Sequence, residues 1–154
     1  AAAGDWHVFG PSHSHYDWWA FPIDQPSQKG LAYTVLAGDI ADLQADPAFR
    51  AAHRRAATLL LASWGWDAEA AAPVDEAARA PSQSWRAWGV RLWKMGTSLR
   101  LFGEDDLADS ADAFVVSLLE AGDERGIIAK TLLPFPKAAA VFKKARVRKH
   151  SKWW

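Results

Sequence analysis

The chain has 154 residues, of which 50% are hydrophobic and none is cysteine. A chain of this length fits one domain, with a core large enough to need no disulfide or metal support. The lack of cysteine excludes thiol catalysis, iron–sulfur clusters and cysteine zinc sites, although it does not select a cellular compartment. No apolar run approaches the ~20 residues that cross a bilayer, so no transmembrane segment is predicted.

The formal net charge is zero, but the charges are divided unevenly along the chain. Residues 1–125 contain all 18 acidic side chains, whereas residues 126–154 contain eight basic side chains and no acidic one. An acidic body followed by a basic segment attracts nucleic acid, an anionic membrane surface or an acidic protein face. The alternative is that the basic segment folds back on its own acidic body.

The sequence begins with three alanines and a glycine and not with methionine. Removal of an amino-terminal targeting segment would leave such a start, and a trimmed fragment would begin in the same way. We therefore expect a mitochondrial or plastid location, with the cytoplasm as the alternative.

The first elements in chain order are short. Residues 1–30 are rich in Gly, Pro, Ser, His and aromatic side chains without a sustained period, which predicts an irregular amino-terminal wrap. A short strand is predicted over residues 32–36, where aromatic and β-branched side chains favour extended backbone. Asp39 is placed to cap a short helical turn, and Asp46 followed by Pro47 is typical of the start of a longer helix.

A core-facing helix is predicted from Pro47 to Gly65. Its apolar residues recur at helical spacing, at Phe49, Ala52, Ala56, Leu59, Leu60 and Trp64. The following residues, 67–83, are small, polar and interrupted by two prolines, which indicates a surface connection with about one helical turn.

A second helix is predicted to be capped by Ser82 or Ser84. Its apolar positions are Trp85, Trp88, Leu92, Met95, Leu99 and Phe102. Gly89 and Gly96 lie within it, and because each costs ~1 kcal/mol against alanine, they indicate close packing or a bend. A third helix is predicted to begin at the acidic residues 104–106, which suit the positive end of a helix dipole, and to end before Gly122.

The pattern as a whole predicts a mainly α fold, a compact single-domain helical bundle with three parts. These are an irregular aromatic-rich wrap (1–30), a helical body (31–125) and an extended basic carboxy-terminal arm (126–154). A proline-containing break at residues 134–136 precedes a basic helix predicted over residues 137–149, and we expect this arm to leave the body.

Four sequence blocks resemble a family of short uncharacterised bacterial proteins, notably from actinobacteria, over about residues 13–121. The blocks are HSHYDWWAFPID, AYTVLAGDIADLQADPAF, LLASWGWD and WGVRLWKMGTSLRLFGEDDL. The resemblance implies a mostly helical single domain and no activity that can be carried over. Because the arm lies outside the resemblance, a bacterial-type domain with added ends would suit recruitment into an organellar assembly.

The stretch HSHYDWWAFPID, residues 13–24, contains the candidate catalytic side chains. On an extended segment His13 and His15 would point the same way and could hold a metal together with His7 or Asp17. A small enzyme would use them with Tyr16 around a tryptophan-lined pocket. The competing interpretation, which we favour, is a tryptophan wall with hydrogen-bonded or solvated imidazoles and no metal, cofactor or catalytic site.

Ten tryptophans could stack on bases or sugars, but their positions favour a core. Trp64, Trp85 and Trp88 fall on predicted apolar helical faces, where large aromatic side chains usually pack inside. Of the pair Trp18 and Trp19, one must face outward on an extended segment and is a candidate contact residue.

We predict a non-catalytic accessory or structural subunit of a larger protein complex, first an organellar energy-transducing membrane complex. Its partners would be other protein subunits, with an anionic lipid surface or the RNA of an organellar ribosome as alternatives. Truncation after Arg125 is expected to leave the fold intact and abolish incorporation. The predicted partner-binding residues are Trp19, Lys137, Phe142, Lys143, Lys144, Arg146, Arg148, Lys149, Lys152, Trp153 and Trp154.

Overall fold

The computed structural model describes residues 6–9, 15–26 and 30–150, with side chains up to Val147. It is mainly helical, as predicted. The elements in chain order are a 3-10 helix Trp6–Phe9, α1 Asp17–Ala20, α2 Ala37–Ala45, α3 Pro47–Ser63, β1 Trp66–Asp67, β2 Ala72–Pro73, a 3-10 helix Glu76–Ala78, α4 Gly89–Leu101, α5 Asp105–Glu120 and α6 Pro136–His150. None of the described helices is both long and apolar enough to cross a membrane.

The start of α3 follows its sequence signals. The Asp46 carboxylate accepts a hydrogen bond from the backbone N–H of Ala48 at 2.8 Å, and Pro47 occupies the first helical turn. The helix ends at Ser63, two residues before Gly65, whose φ of +79° is a left-handed conformation that favours glycine. Both ends of this helix are therefore set by local chemistry.

The segment predicted as a strand before α2 is a turn. Within residues 32–36 only Thr34 forms a bridge, parallel to Ile23, and α2 begins directly afterwards. Asp39 accepts a hydrogen bond from the backbone N–H of Leu36 at 2.9 Å, so it caps α2 from inside the first turn. The two-stranded hairpin β1–β2 begins one residue before the predicted surface connection and extends into it.

The start of α4 differs from the prediction. Neither Ser82 nor Ser84 caps it; the helix begins at Gly89. Ala87 has a φ of +62°, which is incompatible with a continuous right-handed helix through Trp85. The Trp85 indole donates to the carbonyl of Arg125 at 3.1 Å, a contact 40 residues away that helps to hold this segment outside the helix.

The core lies around α5, which contacts α3, α4 and α6. One cluster of buried apolar side chains joins these helices with Phe21 from the amino-terminal segment and the tryptophans next to the hairpin. Its fully buried large members are Phe21, Leu60, Leu61, Leu92, Met95, Leu99, Val115 and Phe135.

Two glycines of α4 admit close packing, as predicted. A Cβ atom on Gly96 would lie 2.3 Å from Cζ of Phe135, and one on Gly89 would lie 1.7 Å from the carbonyl oxygen of Gly126. Both contacts come from the segment that follows α5. This segment can therefore approach α4 closely only because positions 89 and 96 are glycines without a Cβ atom.

The first half of the predicted arm belongs to the body. Ile127, Leu132, Phe135 and Ala138 are buried in the core cluster. The buried carboxylate of Asp112 on α5 accepts hydrogen bonds from the first-turn backbone N–H groups at positions 137 and 138, at 2.9 and 2.8 Å. This cap from another helix fixes the start of α6. The chain therefore does not leave the body after Arg125, contrary to the expectation from the sequence.

Candidate functional site

The amino-terminal cluster places Asp17 against α4. The Asp17 carboxylate is 5% exposed and lies 3.6 Å from Nε of Arg91 and 3.7 Å from Nζ of Lys94. Burial lowers the pKa of Lys94, and the charge of Asp17 opposes that shift. The carboxylate therefore anchors the amino-terminal segment to α4 through two cations.

Tyr16 lies on the other side of Arg91. Nη1 of Arg91 donates to the Tyr16 hydroxyl at 3.3 Å, and the guanidinium lies 4.6 Å from the centre of the Tyr16 ring. Burial raises the pKa of Tyr16, with the charge of Arg91 acting in the opposite direction. Arg91 contacts both Tyr16 and Asp17. These two predicted residues therefore form part of the packing interface between the amino-terminal segment and α4.

His15 and the tryptophan pair form the outer layer of the cluster. His15 is exposed and stacks on Trp18 at 4.6 Å between ring centres, and Trp18 in turn packs against Tyr33 at 4.9 Å. Trp19 is 59% exposed, so it is the member of the pair that faces outward. The pair lies on the short helix α1 and not on an extended segment.

Metal chemistry at this stretch has little geometric support. No group of three metal-ligating side chains occurs among the residues that the structure describes. His13 lies outside them, and Asp17 is already engaged by two cations. A metal would have to compete with both ion pairs for this carboxylate.

The buried His53 is a residue that the sequence patterns did not single out. Its Nε2 lies 3.0 Å from Oγ of Ser98, and Ser98 donates to the carbonyl of Pro22 at 2.7 Å. Since the Ser98 proton is used in that second bond, Nε2 of the neutral imidazole is the donor to Ser98. Burial lowers the pKa of His53 to about 4. This chain of bonds ties α3, α4 and the amino-terminal segment together.

Glu104 was predicted to serve only the helix dipole, yet it is 1% exposed. Its carboxylate accepts hydrogen bonds from Arg50 at 3.0 Å and from Arg54, which also reaches Asp106. Burial alone would raise the pKa of Glu104, but the two guanidinium partners outweigh it and hold that pKa below its usual value. The cluster joins α3 to the start of α5 and leaves no free acid for catalysis.

The basic face of α6, defined by Lys143, Lys144 and Arg146, is exposed. None of these cations forms an ion pair with another described residue. A shallow depression of about 430 Å³ beside them is lined by Ala140, Lys143, Lys144 and Val147, and Val147 is 62% exposed. The basic face therefore does not fold back onto acidic side chains of the described body.

The other predicted partner-binding residues differ in placement. Phe142 packs partly against the core with the Arg146 guanidinium 5.5 Å from its ring centre, and the side chain of Lys137 lies at the exposed start of α6. Arg148 and Lys149 lie in α6, with side chains outside the described residues. The rest of the predicted set, Lys152, Trp153 and Trp154, lies outside them altogether.

The aromatic pocket, a concave surface of about 480 Å³, lies where the start of α4 meets the loop after α5. Its walls include Trp88 and Trp93, and each ring carries a cation. The Arg91 guanidinium lies 4.0 Å from the Trp88 ring centre, and Lys130 Nζ lies 4.4 Å from that of Trp93. Trp64 and Trp85 are buried as predicted, whereas Trp88 is only partly buried and lines this pocket.

No family model, curated protein or solved structure matches this chain. The resemblance to short bacterial proteins therefore stays a prediction. What the chain does has to follow from its own geometry and charge.

Proposed function

We propose that the chain is a non-catalytic accessory subunit of a larger protein complex, and that the basic face of α6 binds an acidic segment of another subunit. The observation that carries this proposal is the unpaired state of Lys143, Lys144 and Arg146 among the described residues. Cations that the body does not neutralise are free to attract an acidic surface.

The apolar content of the same face favours a protein partner. Ala140 and Val147 share the depression with the two lysines, at the spacing i, i+3, i+4 and i+7 of one helical face. A partner with apolar side chains between carboxylates would cover Val147 and pair with the lysines at once. Nucleic acid would use the charges but gain less from the exposed valine.

The proposed role does not use the predicted catalytic residues. Asp17 and Tyr16 are both engaged by Arg91, and that arrangement serves to anchor the amino-terminal segment. Trp19, exposed on α1, is proposed as a second contact. A mitochondrial or plastid energy-transducing complex as the host stays a prediction, which fractionation of the source cells would test.

The test is native size separation of gentle extracts from cells that carry either the wild-type chain or a variant. The wild-type chain should migrate far above its 17.0 kDa mass. The double substitution Lys143→Glu with Lys144→Glu should shift it to the monomer position. Arg55→Glu, which reverses an exposed cation on α3, should leave the complex intact.

Three results would contradict this proposal. A wild-type chain that migrates as a free monomer, or a double variant that still migrates with the complex, removes the basis for docking through α6. Loss of the complex on nuclease treatment would assign the partner as RNA and support the ribosome alternative instead.

A further inference from the structure

We infer that the aromatic pocket between Trp88, Trp93 and Lys130 is a binding site for a small organic anion with an aromatic or aliphatic body and one carboxylate group. This site is separate from the basic face of α6. It does not depend on the proposed subunit role.

Two backbone segments meet closely along the lining of the pocket. A Cβ atom on Gly126 would lie 2.0 Å from the carbonyl oxygen of Ala87, and one on Gly89 would lie 1.7 Å from that of Gly126. The three residues all line the pocket, and two of them, Ala87 and Gly126, have positive φ values of 62° and 71°. Backbone therefore meets backbone at this side of the pocket, and a side chain at position 89 or 126 would force the two segments apart.

The charge of the lining is positive. Arg91 and Lys130 are the ionisable side chains among the lining residues. The charge of Arg91 is offset by Asp17 at 3.6 Å, whereas Lys130 has no ion pair with any described residue. The first turn of α4, which has no side-chain cap, adds the positive end of its dipole at Gly89. A negative group is therefore favoured over a neutral or positive one.

Apart from Thr131, the rest of the lining is apolar, and part of it is exposed. Val90 is 69% exposed and Ile128 is 62% exposed at the rim, next to the tryptophan walls. A volume of about 480 Å³ lies in the range of small-molecule sites. A ligand with an apolar body would cover these side chains, and its carboxylate would meet the ammonium group of Lys130 above Trp93.

The test is calorimetric titration of the full chain with three matched probes, 2-naphthoate, 2-naphthamide and 2-naphthylmethylammonium. The carboxylate should bind roughly tenfold more tightly than the amide, because it gains a charge-assisted hydrogen bond, and the ammonium probe should not bind. Lys130→Met should remove the preference of carboxylate over amide. Lys130→Arg should restore it.

Arg55→Met is the matched control, because it removes an exposed cation on α3, outside both proposed sites, and should leave all three affinities unchanged. Equal binding of carboxylate and amide, absence of binding by both, or an unchanged preference in Lys130→Met would each overturn the inference. Trp88→Ala should weaken the binding of both the carboxylate and the amide probe. Undiminished binding in that variant would place the ligand elsewhere.

Discussion

At the scale of single residues, the structure uses its buried polar groups to join segments that are distant in sequence. Asp17 holds the amino-terminal segment to α4 through Arg91 and Lys94, and Glu104 holds α3 to the start of α5. Losing both partners of such a group would leave a buried charge unpaired and cost several kcal/mol. These residues therefore stabilise the fold, and their burial is not by itself a sign of catalysis.

His53 makes the stability depend on pH. Its pKa is about 4 in the folded chain against an ordinary value of 6.5, so the unfolded chain binds the extra proton between these values. Stability is complete above pH 6.5 and falls as the pH drops towards 4. Between pH 7.5 and pH 5 we expect the free energy of unfolding to fall by about 2 kcal/mol from this residue.

Urea denaturation at pH 7.5, 6 and 5 checks this expectation. His53→Gln, which cannot titrate, should lose the part of the pH dependence that His53 contributes. His15→Gln, at an exposed position, should keep it. Two charged groups, Glu104 and Arg54, act on His53. Both stay charged between pH 7.5 and pH 5, because the pKa of Glu104 lies below its usual value of 4.5 and that of Arg54 is raised. An unchanged slope in His53→Gln would rule out the assignment.

At the scale of elements, the contact between α4 and the segment that leads into α6 depends on Gly96. An alanine there would place its Cβ 2.3 Å from Cζ of Phe135, which is fully buried and has little room to move. Overpacking of this kind typically costs about 1–3 kcal/mol. We expect Gly96→Ala to destabilise the chain by about that amount in chemical denaturation, despite the better helix propensity of alanine.

Gly38→Ala provides the matched control within another helix. Gly38 lies in α2, and apart from its chain neighbours and the helix's own backbone no atom lies within 4 Å of the position that an alanine Cβ would take, so only helix propensity changes. We expect the substitution to stabilise the chain by up to about 1 kcal/mol. Equal effects of the two substitutions would mean that Phe135 does not press on α4.

At the scale of the whole molecule, the boundary between core side chains and the exposed ones at positions 143, 144, 146 and 147 falls within α6. Truncation after Arg125 would remove Ile127, Leu132, Phe135 and Ala138 from the core. Each large buried side chain contributes about 1.5–3 kcal/mol, and a domain has only about 5–15 kcal/mol of net stability. We therefore expect this truncation to unfold the chain, in contrast to the prediction from the sequence pattern.

We expect a chain that ends at Arg125 to lose cooperative unfolding, and one that ends at Phe142 to keep it. The longer chain retains the four core residues and lacks the basic face of α6. Thermal unfolding followed by circular dichroism distinguishes the two. A cooperative transition of the shorter chain at the full-length midpoint would show that residues 126–139 are dispensable for the core.

The sequence by itself determined the helical class and the elements whose signals are local. The Asp46 and Pro47 start of α3, the apolar period of α5, and the basic helix α6 were predictable because helical spacing and capping involve residues within four positions of each other. The predicted apolar face of α3 was only partly right, since Ala52 is exposed and Ala57 and Leu61 are buried in its place. Close packing at Gly89 and Gly96 was also predictable, since glycine within a helix has a cost that packing can offset.

Only the tertiary structure decided where the polar groups are buried and where the body ends. The carboxylate of Asp112 caps a helix that begins 24 residues later, and Arg50 reaches Glu104 across 54 residues. The sequence patterns near these residues resemble those of exposed helix surfaces. A charged side chain is solvated or paired according to which distant segment packs against it. Which segment does so depends on how the whole core is buried.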